Sequence, residues 1–156
     1  MANKPRYWGT LSPLPAQVIT AQAQQFESMG LEGVFAPQVY GPPFIPLAVA
    51  AGATTRLKLA SGIALAFARS PFETAVAAMD MDTVSNGRFV LGLGSSVRSW
   101  SEGFFGMPYG KPVEHLREVI EIVRLVIQKS HTGELGRYDG KYHQLDFSEF
   151  QPLRAP

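Results

Sequence analysis

Apolar residues along this chain fall into short runs separated by amphipathic stretches, a rhythm that predicts strands alternating with helices. Four runs read as strands: Tyr7 to Leu11, Gly33 to Ala36, Leu57 to Ala64, and Phe89 to Gly94. Each is followed by a helical pattern. From about Pro15 to Met29, Ile19, Ala23 and Phe26 share one side while Gln17, Gln24, Gln25 and Glu27 face out, and Gly30 supplies a stop. A second helix is expected from about Phe44 to Thr54, with prolines 42, 43 and 46 crowding its first turn, where a missing N–H does least harm. In the third, Phe72, Ala75, Val76, Met79 and Thr83 follow a helical period, and Asn86-Gly87 turns the chain toward the next strand. The fourth has a stripe of Leu116, Val119, Ile120, Val123 and Ile127, with Glu114, Glu118 and Glu121 opposite.

The third strand leads directly into a helix start. Leu57, Leu59, Ala60, Ile63 and Ala64 form a buried strand, and Ser70-Pro71-Phe72-Glu73 then gives an N-cap, a proline at the first helical position and a glutamate three residues after the cap. Strands recur about every 25 to 30 residues, the spacing of a β/α unit whose right-handed crossovers keep strands parallel. The rhythm stops after Gln128. Lys129 to Arg137 is polar, Asp139-Gly140 between aromatic residues reads as a two-residue hairpin turn, and Gln151 to Pro156 is extended and proline-rich. The expected class is α/β, a partial (β/α)8 TIM barrel of about four units in one domain, with residues 1–128 forming the repeats and 129–156 a hairpin-like insertion.

With 46% hydrophobic and 17% charged residues in a chain of 156, an ordinary core is expected and disorder is not. A net charge of +1 supplies no broad basic field, which argues against nucleic acid as the main partner. Cysteine is absent, so disulfides, thiolate nucleophiles and cysteine-held metals are excluded. No stretch has the length of a membrane span or a signal-peptide core, and the expected location is the cytoplasm.

Four blocks, in order, carry a family resemblance: Ala60 to Pro71 (ASGIALAFARSP), Ser85 to Gly94 (SNGRFVLGLG), Phe104 to Tyr109 (FFGMPY) and Tyr138 to Tyr142 (YDGKY). Together the chain resembles the luciferase-like monooxygenases, flavin- or deazaflavin-dependent enzymes on a (β/α)8 barrel, and it is most similar to the branch using the deazaflavin coenzyme F420. The resemblance implies an oxidoreductase that transfers hydride to, or oxygenates, a small organic substrate, with coenzyme F420 as cofactor and FMN as the alternative. It also implies that the chain is the N-terminal half of a barrel, with Pro156 just before a fifth strand, and that the isolated chain binds cofactor weakly. An open parallel sheet with two bare edges would then pair with a second copy or with a complementing C-terminal half. The alternative in another class is a non-catalytic half-barrel remnant or assembly module. A flavin-free barrel enzyme acting on a sugar phosphate is a third reading.

By the same resemblance, Ser61, Gly62, Ile63 and Ala64 form a bulge behind the cofactor ring, with a non-proline cis peptide at Gly62-Ile63. Gly94, Ser95 and Ser96 could present donors to a phosphate or to the cofactor's side arm. Arg98 could neutralise a phosphate, and Arg69 could reach the same rim. Trp8 and Phe67 could wall a ring system, although core packing suits either. Where many deazaflavin members carry a proton-handling residue, this chain has Gln38 and Tyr40; Gln38 would orient substrate rather than act as an acid. Glu102 is the nearest candidate acid or base by position. His115, His131 and His143 have no carboxylate cluster around them in sequence, and no metal is assigned.

Overall fold

The computed structural model describes residues 6–152; the expectations placed on the first five residues and on Pro156 lie outside them. The chain divides into two compact units, Met1–Ala64 with Asp80–Leu93, and Leu65–Met79 with Gly94–Pro156. This division differs from the 1–128 and 129–156 partition read from the repeats.

In the first unit, β1 (Trp8–Thr10), β2 (Gly33–Ala36), β3 (Lys58–Ser61) and β5 (Phe89–Val90) form a parallel sheet in the order β1-β2-β3-β5. The helices α1 (Ala16–Ser28) and α2 (Phe44–Ala53) bring Ile19, Ala23, Leu47, Ala50 and Ala51 into a core with Leu11, Val34, Ala36, Leu57, Leu59 and Met81. The predicted α1 stripe packs as expected, and Gly30 ends the helix at φ +79°, in the left-handed region that glycine enters without a steric penalty. Glu27, read as solvent-facing, instead accepts the N–H groups of Thr55, Arg56 and Leu57 at 3.0, 2.6 and 3.1 Å. Burial opposes its charge, but those three donors and the Arg56 cation hold its carboxyl below the usual range.

Two predicted strands are broken. The third run stops at Ser61 and resumes as β4 (Ala64–Leu65) after a cis peptide bond at Gly62-Ile63; the fourth breaks between β5 and β6 (Leu93–Gly94). The apolar pattern runs through both breaks, so hydrophobicity alone could not mark them. Helix α3 (Pro71–Ser85) runs from the second unit into the first. It starts as expected: Ser70 Oγ accepts the Phe72 N–H at 3.2 Å. Thr83, placed in its apolar stripe from spacing, is exposed.

Arg88 ties the first unit together. Its guanidinium donates to Ala51 O and Thr54 O at the end of α2 (both 3.0 Å), to Leu57 O (2.8 Å), to Thr54 Oγ1 (3.1 Å) and to Ser85 O (2.6 Å).

The second unit holds a π-helix (Ser99–Phe104), α4 (Pro112–Lys129) and an antiparallel hairpin of β7 (Arg137–Asp139) and β8 (Gln144–Asp146). The α4 stripe is rotated from its expected position: the buried face is His115, Glu118, Val119, Ile122, Val123 and Val126. Glu118, expected on the solvent face, is buried for a specific reason. Its carboxylate accepts the backbone N–H groups of Lys141 (3.0 Å), Tyr142 (3.0 Å) and His143 (2.6 Å). The hairpin connection is therefore the four-residue loop 140–143 wrapped around a carboxylate, not the expected two-residue turn. Tyr138 also binds α4, donating to Glu121 Oε2 at 2.9 Å; burial first, then that bond, push its phenol up to about 12. Phe72, Phe147 and Phe150 pack together with ring centroids 5.7 to 6.4 Å apart.

Candidate functional site

The carboxyl ends of β2 and β3 converge on the bulge between β3 and β4. The Gly62 N–H donates to Ala36 O at 3.0 Å, and the Gln38 N–H donates to Ile63 O at 3.1 Å, so the end of β2 grips both sides of the cis bond. From the other flank, Ser61 Oγ donates to Gly92 O (2.9 Å) and accepts the Gly92 N–H (2.8 Å), while the Ala64 N–H donates to Gly92 O (2.8 Å). Ser61 and Ala64 are buried, and Ile63 is 38% exposed. The result is a ridge of main chain fixed from both sides, with Ile63 presented at its crest.

Two glycines make this close approach feasible. A Cβ on Gly92 would strike the Ser61 carbonyl oxygen, and one on Gly62 would lie 2.7 Å from the Phe35 ring. Gly92 belonged to a recognisable glycine-rich segment, but its contact with Ser61 is made by tertiary structure, which no local spacing reveals.

The sequence-derived candidates separate on this frame. Ser61, Gly62, Ile63 and Ala64 come together, with the Ser61 hydroxyl spent on Gly92, which makes it an anchor of the ridge. Gln38 is buried at 6% exposure and joined to Ile63 through its backbone, whereas Tyr40 is 68% exposed. Trp8 lies elsewhere: it pairs with Gly33, three register rows before the Ala36–Ser61 pair, about 10 Å of strand rise from the ridge. Its ring lies against Gly33, where a Cβ would be only 2.6 Å away. Trp8 therefore packs on Gly33 and is not one of the residues that form the ridge.

Gly94, Ser95, Ser96 and Arg98 belong to the second unit, where the Ala66 N–H donates to Gly94 O at 2.9 Å. Ser96 has φ +59° and its carbonyl accepts the Tyr109 hydroxyl at 3.0 Å. Arg98 donates to Glu102 Oε1 at 2.6 Å and to Gly110 O at 3.3 Å, and its guanidinium lies 5.1 Å from the Tyr109 ring centroid. Glu102 sits in the π-helix, is exposed, and is ion-paired to Arg98. A carboxylate so placed is poorly suited to shuttle a proton. Phe67 is core: 2% exposed, it stacks on His115 at 3.9 Å and 6°.

Spacing alone also missed a second cluster. His115 and His143, far apart in sequence, bring their Nε2 atoms within 3.0 Å, and His115 lies between Phe67 and Tyr142, whose ring is 4.4 Å away. Among the described residues, no group of three or more His, Cys, Asp or Glu is arranged to hold a metal ion. Among those residues, too, no helix is long and apolar enough to cross a membrane.

Comparison with known proteins identifies relatives of this chain. The chain is 34% identical over 147 residues to an uncharacterized protein of Mycobacterium tuberculosis, covering 92% of this chain and 43% of that protein. It is 36% identical over 121 residues to a second M. tuberculosis protein, named provisionally as a coenzyme F420-dependent oxidoreductase, covering 77% of this chain and 34% of that one. Among solved structures, the oxygenating constituent of 3,6-diketocamphane monooxygenase from Pseudomonas putida, in complex with FMN, superposes with a TM-score of 0.78 at 17% identity, covering 96% of this chain and 47% of that one. The chain thus spans less than half the length of these relatives, and its α/β fold is that of one part of a luciferase-like TIM barrel. With the luciferase-like monooxygenase model matching residues 3–156, this chain belongs to that family.

Proposed function

We propose that the ridge at Ser61 to Ala64 is the backing of a site for a flat redox cofactor, coenzyme F420 in preference to FMN, and that the protein containing this chain is an oxidoreductase acting on a small organic substrate. The observation that carries this reading is the ridge itself. It sits at the carboxyl ends of parallel strands, where β/α proteins place ligands, and its close packing depends on glycines at positions 62 and 92. A surface of fixed main chain with an exposed apolar crest fits the face of a tricyclic ring better than it fits a charged or flexible ligand. The preference for the deazaflavin rests on the more identical of the two named relatives.

When bound, such a cofactor supplies hydride transfer. The residues of this chain would position it. Gly92 and Ala36 hold the ridge in place through Ser61, Gly62 and Ala64, and Ile63 meets the ring face. Gln38, buried beside the ridge, can hydrogen-bond substrate or ring without transferring a proton, and Tyr40 would stand at the solvent edge. The test is a fluorescence titration of the protein with coenzyme F420 and, separately, with FMN. Saturable binding that Gly92→Ala weakens at least tenfold supports the reading, and binding indifferent to that substitution refutes the site.

A further inference from the structure

A separate site is formed wholly within the second unit. A cavity of about 210 Å³ has apolar walls from Phe67, Met107, Pro108 and Tyr142. That is below the roughly 300 Å³ at which drug-sized ligand pockets begin, so any occupant is small. Among the described residues, the polar groups lining it are Arg69, His115 and His143, and no carboxylate lines it. The nearby acids are otherwise engaged: Glu118 accepts three backbone N–H groups of the hairpin loop, Glu114 pairs with Lys141 and Lys111, and Glu73 pairs with Arg69 Nε at 3.2 Å.

The imidazoles have defined roles. His115 Nδ1 lies 3.1 Å from Tyr109 O, and because a carbonyl only accepts, the proton is on Nδ1. A neutral His115 therefore offers its Nε2 lone pair, and His143 donates its Nε2–H across the 3.0 Å gap. The pair shares one proton in this arrangement, and a further proton makes it cationic beside Arg69.

We propose that this cavity binds a compact carboxylate with an apolar body, such as a single ring bearing one carboxyl group, seated between the Phe67, Met107, Pro108 and Tyr142 walls with its anionic head toward Arg69 and the His115–His143 pair. An anion there stabilises the protonated pair, so binding and proton uptake are linked. In the free protein, burial and the neighbouring His115 hold the His143 imidazole below its ordinary value, against the opposing pull of Glu118. Proton uptake is thus held back until a ligand compensates it. The cavity shares no residue with the ridge.

The probe is benzoate, with benzamide as the neutral match of the same shape. Histidine side-chain NMR and calorimetry, run from about pH 8 to about pH 5.5, report binding at the two rings. The expected result is saturable benzoate binding that perturbs His115 and His143, tightens by up to about tenfold per pH unit as the pH falls toward the free-protein His143 midpoint and levels off below it, and is absent with benzamide. His143→Gln should abolish the pH slope, and Arg69→Gln should weaken binding at every pH. A far-UV spectrum and melting curve establish that each variant is folded, and Arg69→Gln alone suffices if His143→Gln is not. No saturable binding, equal binding of benzamide, or a pH slope that survives in folded His143→Gln would overturn the proposal.

Discussion

Replacing Arg88 should reveal how the first unit is held together. Its guanidinium makes five hydrogen bonds, four of them to Ala51, Thr54 and Leu57, which join the end of α2 to the start of β3. Charge-assisted hydrogen bonds contribute about 1.5 to 3 kcal/mol each, but five cannot simply be added, because they share one guanidinium and its desolvation. A cation at the end of α2 also complements the helix dipole, by about 0.5 kcal/mol. Weighing these, Arg88→Ala should lower unfolding free energy by about 3 kcal/mol, near the upper range for a single substitution. Arg88→Lys should cost about 2 kcal/mol, since an ammonium keeps the charge and loses the planar fork. At roughly 2 to 4 °C per kcal/mol for a chain of this size, the alanine variant should melt about 6 to 12 °C lower. Urea and thermal unfolding followed by circular dichroism, with exposed Arg124→Ala as control, measure this. An Arg88→Ala variant within 0.5 kcal/mol of the parent, or no more affected than Arg124→Ala, would refute the argument.

Other consequences are as direct. Glu118→Gln turns one acceptor toward the hairpin into a donor facing other donors, and should destabilise by about 2 to 3 kcal/mol, with faster amide exchange at Lys141, Tyr142 and His143. His143 titrates below its ordinary value of 6.5 in the folded state, so the unfolded chain takes the proton first on acidification. Its contribution is present above pH 6.5 and is lost as the pH falls through the folded midpoint; melting temperature should drop over that window, less steeply in His143→Gln. Gly62→Ala forces a Cβ into the Phe35 ring, which can shift, so it should weaken cofactor binding less than Gly92→Ala, where the obstacle is backbone; parallel titrations compare them.

The alternation of apolar runs located all four strands of the parallel sheet and, among the described residues, every α-helix, because burial of one face leaves a period in the sequence. What it could not locate were features made by partners distant along the chain. Glu118 sits where a solvent-facing residue was expected, since a buried carboxylate is stable only when donors such as the N–H groups of residues 141–143 surround it. The meeting of His115 and His143 arises the same way, from the hairpin folding onto α4. The row that Trp8 occupies is set by the pairing of β1 with β2, which an apolar run does not show. The ridge was legible in part: Ser61 to Ala64 was recognisable as a block, but the dependence on Gly92 appears only when β5 and β3 are paired.

The most direct test of the central claim is an amide NMR titration of this chain with coenzyme F420, which reads even weak binding residue by residue. The account predicts that the largest shifts fall on Gln38, Ser61, Gly62, Ile63, Ala64 and Gly92, and that FMN produces the same pattern at higher concentration. Shifts concentrated around Trp8 or the His115–His143 cavity, or none at the ridge at saturating cofactor, would contradict it.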